Sequence, residues 1–344
     1  MTRRYGARRI ILCGAVTLAF GLCLAAHISQ WWELYIAYGI IVSVGLTSAG
    51  WLPSIILIRA WFLERVGMAV GIVSAGIGGG ITVVVPLTQF LIERVGWRWT
   101  YRLFALAIVG WVVPATYALV RDPVRDEAPR AEPVIPRASA RSWTLGQAVR
   151  DRRYWLLGGM YFLGNMVTQL LFVHQVAFLV DHGVVPLVAA SVGGVAGLAS
   201  IVGKIGWGSL SDRTGREISY TWALLCLAGS LGVLVLAGGS PGSGLPYVYA
   251  VLFGLGYAGT AVLIPAATSD LFAGPGFASI FGSLQAVLAV GAALGAWAAG
   301  QIFDVTGTYT LALWLAFAVS LASPALMWLA APSRPRRALP YIER

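Results

Sequence analysis

Long runs of apolar residues alternate with short polar segments along the whole chain. Ten runs hold close to the roughly 20 residues that a helix needs to cross the hydrocarbon core of a bilayer. Because a chain inside a bilayer must satisfy its own backbone hydrogen bonds, each run is predicted to be a transmembrane α-helix. The predicted spans are 10–27, 34–58, 67–91, 103–120, 154–179, 185–209, 218–238, 246–269, 277–302 and 310–331.

The composition agrees with this pattern. Of the 344 residues, 58% are hydrophobic and only 11% are charged, whereas soluble domains carry about 25% charged residues. A soluble domain is therefore excluded, and so is a disordered chain, which needs low hydrophobicity. The three cysteines lie inside apolar runs, and their odd number gives no disulfide framework. We predict an all-α membrane protein with about ten spans.

The basic residues are distributed unevenly between the two sides of the predicted spans. The net charge is +10, and with a cytoplasmic N-terminus 20 of the 24 basic residues fall in cytoplasmic segments. Only Arg94, Arg98 and Arg102 fall on the opposite side. This asymmetry follows the positive-inside rule, so we expect both termini in the cytoplasm. The charge requires no nucleic-acid partner.

The spacing of the spans predicts two bundles joined by a linker. We assign residues 1–120 to a four-span bundle, 121–153 to a cytoplasmic linker, 154–331 to a six-span bundle and 332–344 to a cytoplasmic tail. Gly6 and Gly215 lie in similar segments 209 residues apart, and Gly96 and Gly307 lie in similar segments 211 residues apart, which suggests a parallel repeat. By that repeat the first bundle lacks two helices, about 60 residues. Either the reading frame starts at an internal Met or the protein is a ten-span variant.

Two segments resemble known transporter motifs. Residues 206–216 (GWGSLSDRTGR) resemble the G-x-x-x-D-R-x-G-R loop of the major facilitator superfamily. Residues 61–76 (WFLERVGMAVGIVSAG) resemble the signature of its monocarboxylate and oxalate/formate branch, as do 173–183 and 270–272. The resemblance implies a two-bundle fold of 4 + 6 spans. It also implies loops that latch one conformational state, formed by Asp212, Arg213, Arg216, Arg4, Arg8 and Arg65; the alternative is that these charges only anchor the cytoplasmic ends of the helices.

Lys204 is the only lysine of the chain and lies within a predicted span. It precedes Asp212 by eight residues, about 12 Å at 1.5 Å per residue. A charge at that depth should face the bundle interior or a watery cavity; the alternative is that it snorkels to the interface. Gly193 and Gly197 share its helical face and would leave room for a ligand. In the branch that the chain resembles, an arginine at this position is thought to hold the substrate carboxylate, and an aspartate often stands where this chain has Ser200.

Six other residues are candidates for substrate binding, among them Ser200, which lies one turn before Lys204 on the same helical face. Asn165 and Gln169 share one helical face, and Tyr257 belongs to an aromatic stripe that could instead be helix packing. His174 changes charge near neutral pH, although a structural hydrogen bond would also explain it. Gln285 is a weaker candidate. No second basic residue lies between 277 and 302, which argues against a dicarboxylate.

These features predict a secondary active transporter of a small, monocarboxylate-like organic anion that works by alternating access, with a proton as one candidate coupling ion. The alternative is a truncated protein of the same fold that does not transport, or a sensor. The spans contain no metal motif and no nucleophile–base pair, so we expect no enzyme activity, no cofactor and no metal. We expect a monomer in the plasma (inner) membrane, with the lipid bilayer and the anion as its partners.

Overall fold

The computed structural model describes residues 7–50, 54, 57, 66–121, 143–240, 242–272 and 276–330. Within this part of the chain all regular structure is helical. Among the described residues, nine helices are long and apolar enough to cross a membrane. This confirms the prediction of an all-α protein built from spans.

The first part of the chain contains α1 (Ala7–Ala25) and α2 (Trp31–Ala49), the latter with a π-helical stretch at Tyr35–Val42. Helix α3 (Val66–Ala107) continues through a π-helical turn, Ile108–Val112, into α4 (Val113–Leu119).

The stretch Gly76–Leu119 is 44 residues long, about 66 Å at 1.5 Å per residue and twice the thickness of a hydrocarbon core. It therefore comprises two spans. The break lies at Gly96, whose φ of 79° and ψ of 161° are not helical. Only glycine reaches such a φ without strain. Residues 92–102 lie between the predicted runs 67–91 and 103–120 and were expected to form a loop. They are helical except at Gly96, where the two spans meet.

The second part begins with a short turn, α5 (Leu145–Ala148), and six long helices follow. Gly215 has a φ of 95° and forms the tight turn between a helix that ends at Thr214 and one that begins at Arg216. Gly307 has a φ of 69° and follows the helix Phe277–Thr306, just as Gly96 breaks α3. The six helices are α6 (Arg152–Asp181), α7 (Pro186–Thr214), α8 (Arg216–Gly238), α9 (Leu245–Leu271), α10 (Phe277–Thr306) and α11 (Thr310–Ala330).

Contacts divide the chain into two compact units. The first comprises the described residues of Met1–Gly76 and Leu87–Val134, and the second those of Ile77–Pro86 and Ile135–Arg344. The first unit has a small apolar core that includes Ala19, Leu22, Val42 and Ala105. The second has a large continuous core formed by α5 to α11. The predicted domain boundaries at 120 and 153 remain a prediction.

Candidate functional site

Lys204 lies on α7 within the second unit. Its ammonium nitrogen Nζ is buried and has no hydrogen-bond partner among the described residues. Nζ lies 5.2 Å from the centroid of the Tyr257 ring on α9, a cation–π contact that replaces part of the lost hydration. The amine therefore points into the bundle. This is the first of the two alternatives that the sequence left open, the other being that Lys204 snorkels to the interface. A buried ammonium without a counter-charge is costly, so this position favours an anion.

An aromatic cluster surrounds this contact. The Phe172 ring of α6 meets the Tyr257 ring edge-on, with centroids 5.0 Å apart at 88°. It meets the Phe253 ring at 4.9 Å and 65°. Phe253 and Tyr249 are fully buried and stack at 5.7 Å, whereas Phe172 and Tyr257 are partly exposed. Phe253 contacts both partly exposed rings, and Tyr257 lies beside Lys204.

The polar face of α6 adjoins the same cluster. Asn165 and Gln169 precede Phe172 by seven and three residues, so the three side chains lie on one face of the helix. Both polar side chains are partly exposed. The hydroxyl of Thr168 instead donates to the carbonyls of Gly164 and Asn165, so its donor is already used within the helix.

The glycine face of α7 is occupied by another helix. A Cβ atom at Gly197 would lie 2.7 Å from both the carbonyl oxygen of Gly78 and the hydroxyl oxygen of Thr82 on α3. Thr82 also donates a hydrogen bond to the carbonyl of Gly194, at 3.0 Å. The expectation that Gly193 and Gly197 leave room for a ligand is therefore wrong at Gly197, where α3 packs closely; at Gly193 the nearest atom to a Cβ would be a methyl carbon of Val85, at 3.4 Å.

Ser200 packs at the contact between α7 and α9. Its side chain is fully buried, and its hydroxyl donates to the carbonyl of Gly197 at 2.7 Å. A Cβ atom at Gly254 would lie 3.0 Å from the backbone nitrogen of Ser200. The hydroxyl is thus engaged within its own helix.

His174 lies on a different side of α6. Its Nε2 lies 2.9 Å from the carbonyl oxygen of Ala296, and its Nδ1 lies 3.2 Å from the hydroxyl of Tyr309. The ring donates from Nε2, because a carbonyl oxygen only accepts, while Nδ1 and the Tyr309 hydroxyl share the second hydrogen bond. Burial, followed by the charges of Asp181 and Asp304, raises the pKa of Tyr309. This geometry agrees with the structural interpretation of His174.

Gln285 lies well away from Lys204 along the bundle. Phe162 packs against Gly291 and Met166 against Gly295, so α6 and α10 are parallel and Gln285 is level with residue 156. Because Phe172 packs on Phe253 and Tyr257, and Gly164 packs on Thr260, Tyr257 is level with about residue 169 of α6. Thirteen residues correspond to about 20 Å. On this register Gln285 lies at a different level from Tyr257, and its role in substrate binding remains a prediction.

One buried polar pair escaped the sequence analysis. Tyr249 donates to the side-chain oxygen Oε1 of Gln175 at 2.8 Å, and both residues are buried. The Tyr161 hydroxyl and Gln285 Oε1 are buried without a hydrogen-bond partner among the described residues. The sequence does not separate the hydrogen-bonded Tyr and Gln side chains from the unpartnered ones, because the partners depend on which helices pack together.

Charged side chains join the ends of α7, α8 and α9. The Arg216 guanidinium donates from Nη1 to Asp212 at 2.8 Å and from Nε to Asp270 at 3.0 Å. Nη1 also donates to the hydroxyl of Ser211. The predicted latch residues Asp212 and Arg216 are thus in contact, whereas the carboxylate of Asp270 was not anticipated as their partner. Arg213 is exposed.

In the first unit, the Arg8 guanidinium donates to the carbonyl of Tyr117 and lies 4.4 Å from the centroid of its ring. The predicted latch residues Arg4 and Arg65 lie outside the described residues. No group of three or more His, Cys, Asp or Glu that could hold a metal ion occurs in the described ranges.

Comparison with known proteins identifies relatives over most of the chain. Monocarboxylate transporter 3 of Rattus norvegicus is 29% identical over 322 residues, which cover 92% of this chain and 64% of that protein. Monocarboxylate transporter 13 of Bos taurus is 27% identical over 334 residues, with 95% and 74% covered. MFS-type transporter 1 of Ophiocordyceps sp. (strain BCC 1869) is 26% identical over 264 residues, with 76% and 56% covered. The chain therefore spans less than two thirds of the length of the rat transporter.

The family model described as Major Facilitator Superfamily matches residues 1–283. This match and the relatives confirm the predicted resemblance, including its monocarboxylate branch. The all-α fold with membrane-spanning helices is likewise the one expected of this family. Because the match covers well over half of its length, this multi-pass membrane chain belongs to the Major Facilitator Superfamily, a family of transporters rather than enzymes.

Proposed function

We propose that the chain is a secondary active transporter of a small organic monoanion, of the monocarboxylate type, and that it works by alternating access. The observation that carries the proposal is the buried Lys204 ammonium, which lacks a hydrogen-bond partner among the described residues. A carboxylate bound beside it would neutralise a charge that is otherwise costly inside a bundle. Lysine would hold the anion as a point charge, without the two-pronged geometry of arginine.

The substrate site is formed by Lys204 and Tyr257 together with the polar face of α6. Gln169 and Asn165 lie on the same side of α6 as Phe172, which contacts Tyr257, so they supply hydrogen bonds beside the anion. Ser200 and His174 belong to the surrounding framework, since their hydrogen bonds are already made. The relatives named monocarboxylate transporters support this substrate class.

We further propose that the chain is a monomer in the plasma (inner) membrane with both termini in the cytoplasm, as the basic residues of the sequence favour. The ends of α7, α8 and α9, joined by Arg216, then lie on the cytoplasmic side. There Asp212, Arg213 and Arg216 form one latch loop, and Arg4, Arg8 and Arg65 contribute to the other. A proton is the proposed coupling ion, because uptake of a weak acid's anion together with a proton is electroneutral.

Transport by purified protein in liposomes tests the proposal. Accumulation of radiolabelled acetate is measured with an inward proton gradient, for the unaltered chain and for Lys204→Gln. We expect Lys204→Gln to abolish saturable uptake and Lys204→Arg to retain part of it. Arg153→Gln, an exposed basic residue at the start of α6, is the control. Unchanged apparent affinity in Lys204→Gln would overturn the assigned site.

The second candidate, a sensor of the same fold, rests on the same buried charge. It predicts that anions raise the thermal stability of the purified protein while the liposomes show no flux. Binding that depends on Lys204 together with zero flux would therefore favour the sensor over the transporter.

A further inference from the structure

The aromatic side chains beside Lys204 do more than fill space. The ammonium lies over the Tyr257 ring, so a carboxylate that pairs with it at about 2.8 Å lies no more than about 8 Å from the centroid of that ring. The atoms bonded to that carboxylate are then close enough for an attached ring to reach the aromatic cluster. The body of the ligand, and not only its charge, contacts this surface.

Two rings of the cluster have accessible surface that a ligand can contact. Phe172 and Tyr257 are partly exposed and stand at 88° to each other. Phe253 and Tyr249 are fully buried behind them, and Phe253 contacts both exposed rings, at 4.9 Å and 6.5 Å. Because the buried rings restrict their rotamers, Phe172 and Tyr257 form a rigid right-angled corner.

A right-angled corner of two rings matches a flat apolar group. A planar ring can stack on one wall while its edge meets the other, and both arrangements are favourable for aromatic pairs. A short acid such as acetate pairs with the ammonium but leaves Phe172 uncovered. A hydroxy acid places an additional polar group against apolar surface, which is unfavourable unless a hydrogen bond compensates it.

We propose that the preferred substrates are monocarboxylates with an aryl body, and that Phe172 and Tyr257 determine this specificity. The inference rests on the proposed function, since it assigns the same site around Lys204. It adds Phe172 to that site as a residue that touches the body of the substrate rather than its charge.

Measuring the affinity of three acids for the purified full chain tests the proposal. The probes are phenylacetate, cyclohexylacetate and acetate, measured by isothermal titration calorimetry at one pH and ionic strength. We expect phenylacetate to bind at least about tenfold more tightly than acetate, the change expected when about 60 Å² of apolar surface leaves water. It should also bind several-fold more tightly than cyclohexylacetate, which has a similar size but no aromatic ring.

The variants separate charge from shape. Phe172→Leu should reduce the phenylacetate-to-acetate affinity ratio several-fold, and Lys204→Gln should abolish binding of both acids. Phe303→Leu is the control, because Phe303 is also partly buried but stacks on Tyr309; its ratio should stay that of the unaltered chain.

Three results would overturn the inference. Equal affinity for phenylacetate and acetate removes the specificity, and equal affinity for phenylacetate and cyclohexylacetate removes its aromatic basis. An unchanged ratio in a folded Phe172→Leu protein removes the residue assignment. In each of these cases the proposed function survives if Lys204→Gln still abolishes binding, whereas binding that does not depend on Lys204 overturns both.

Discussion

The hydroxyl of Thr82 donates a hydrogen bond to the main-chain carbonyl of Gly194, 3.0 Å away and 112 positions later in the chain. The same hydroxyl lies 2.9 Å from the carbonyl of Gly78 in its own helix. The contact forms because Gly194 and Gly197 carry no side chain, so the backbones of α3 and α7 approach closely. A Cβ atom at Gly194 would lie 2.9 Å from the carbonyl oxygen of Thr82.

Replacing Thr82 by Val should weaken the contact between α3 and α7. Valine has the same shape but cannot donate, and interhelical hydrogen bonds in membrane proteins contribute about 0.6 kcal/mol on average. Unfolding of the protein in mixed detergent micelles, followed by circular dichroism, measures the loss. Thr47→Val is the matched control, because the Thr47 hydroxyl donates to the carbonyl of Ser43 within α2. Equal losses in the two variants would show that the interhelical bond contributes nothing.

Replacing Gly295 by Ala should force α6 and α10 apart. A Cβ atom at Gly295 would lie 2.7 Å from the backbone carbonyl carbon of Met166, which has no flexible end that could move aside. Overpacking of this kind destabilises by about 1–3 kcal/mol.

Gly282 on the same helix supplies the control for this variant. Among the described residues, no atom from outside the backbone of its own helix lies within 4 Å of the position that its Cβ would take, so Gly282→Ala should be neutral or stabilising by up to about 1 kcal/mol, as expected for helix propensity. Thermal unfolding in detergent distinguishes the two. A Gly295→Ala protein as stable as Gly282→Ala would contradict the close packing of α6 and α10.

Much of the fold could be predicted from the sequence because each span is a local feature. An apolar run of about 20 residues forms a helix in a bilayer whatever its neighbours are. The junction between the third and fourth runs was less predictable. Residues 92–102 include polar and aromatic side chains that resemble a loop, yet the helix continues on both sides of Gly96.

The candidate site was only partly predictable. Lys204 could be found because a single lysine within an apolar run is conspicuous. Phe172 could not be found in this way, because it is one aromatic residue among many. Asp270 could not be found either, because an acidic residue at a helix end is common. Their roles depend on which helices pack together, and that arrangement is set by contacts between distant parts of the chain.

Replacing Tyr161 by Phe should leave the free energy of unfolding unchanged or increase it. Tyr161 is only 2% exposed, and its hydroxyl makes no hydrogen bond of good geometry among the described residues, although the Thr268 side chain lies close to it. Removing an unpaired buried hydroxyl removes a desolvation penalty and breaks no bond.

Tyr220 is the matched control for this change. It is fully buried, and its hydroxyl shares a hydrogen bond of 3.0 Å with the Ser323 hydroxyl. Tyr220→Phe should therefore destabilise by about 1 kcal/mol, with both variants measured by the same detergent unfolding. A loss in Tyr161→Phe as large as that in Tyr220→Phe would mean that the Tyr161 hydroxyl is hydrogen-bonded in solution, for example to an ordered water.

Replacing Arg216 by Lys should weaken the contact between the ends of α7, α8 and α9, because the Arg216 guanidinium binds two carboxylates with different nitrogens. Nε contacts Asp270 while Nη1 contacts Asp212, a geometry that the single ammonium of lysine does not reproduce. The carboxylates are 42% and 69% exposed, and solvent-exposed ion pairs contribute little. We therefore expect the free energy of unfolding to fall by no more than about 1 kcal/mol, and by less in 1 M NaCl as screening increases.

Arg213→Lys, at an exposed position of the same loop, is the control and should change the free energy of unfolding by less than Arg216→Lys at low salt. If the two variants behave alike at low salt, the contact depends on backbone packing around Gly215 rather than on the guanidinium.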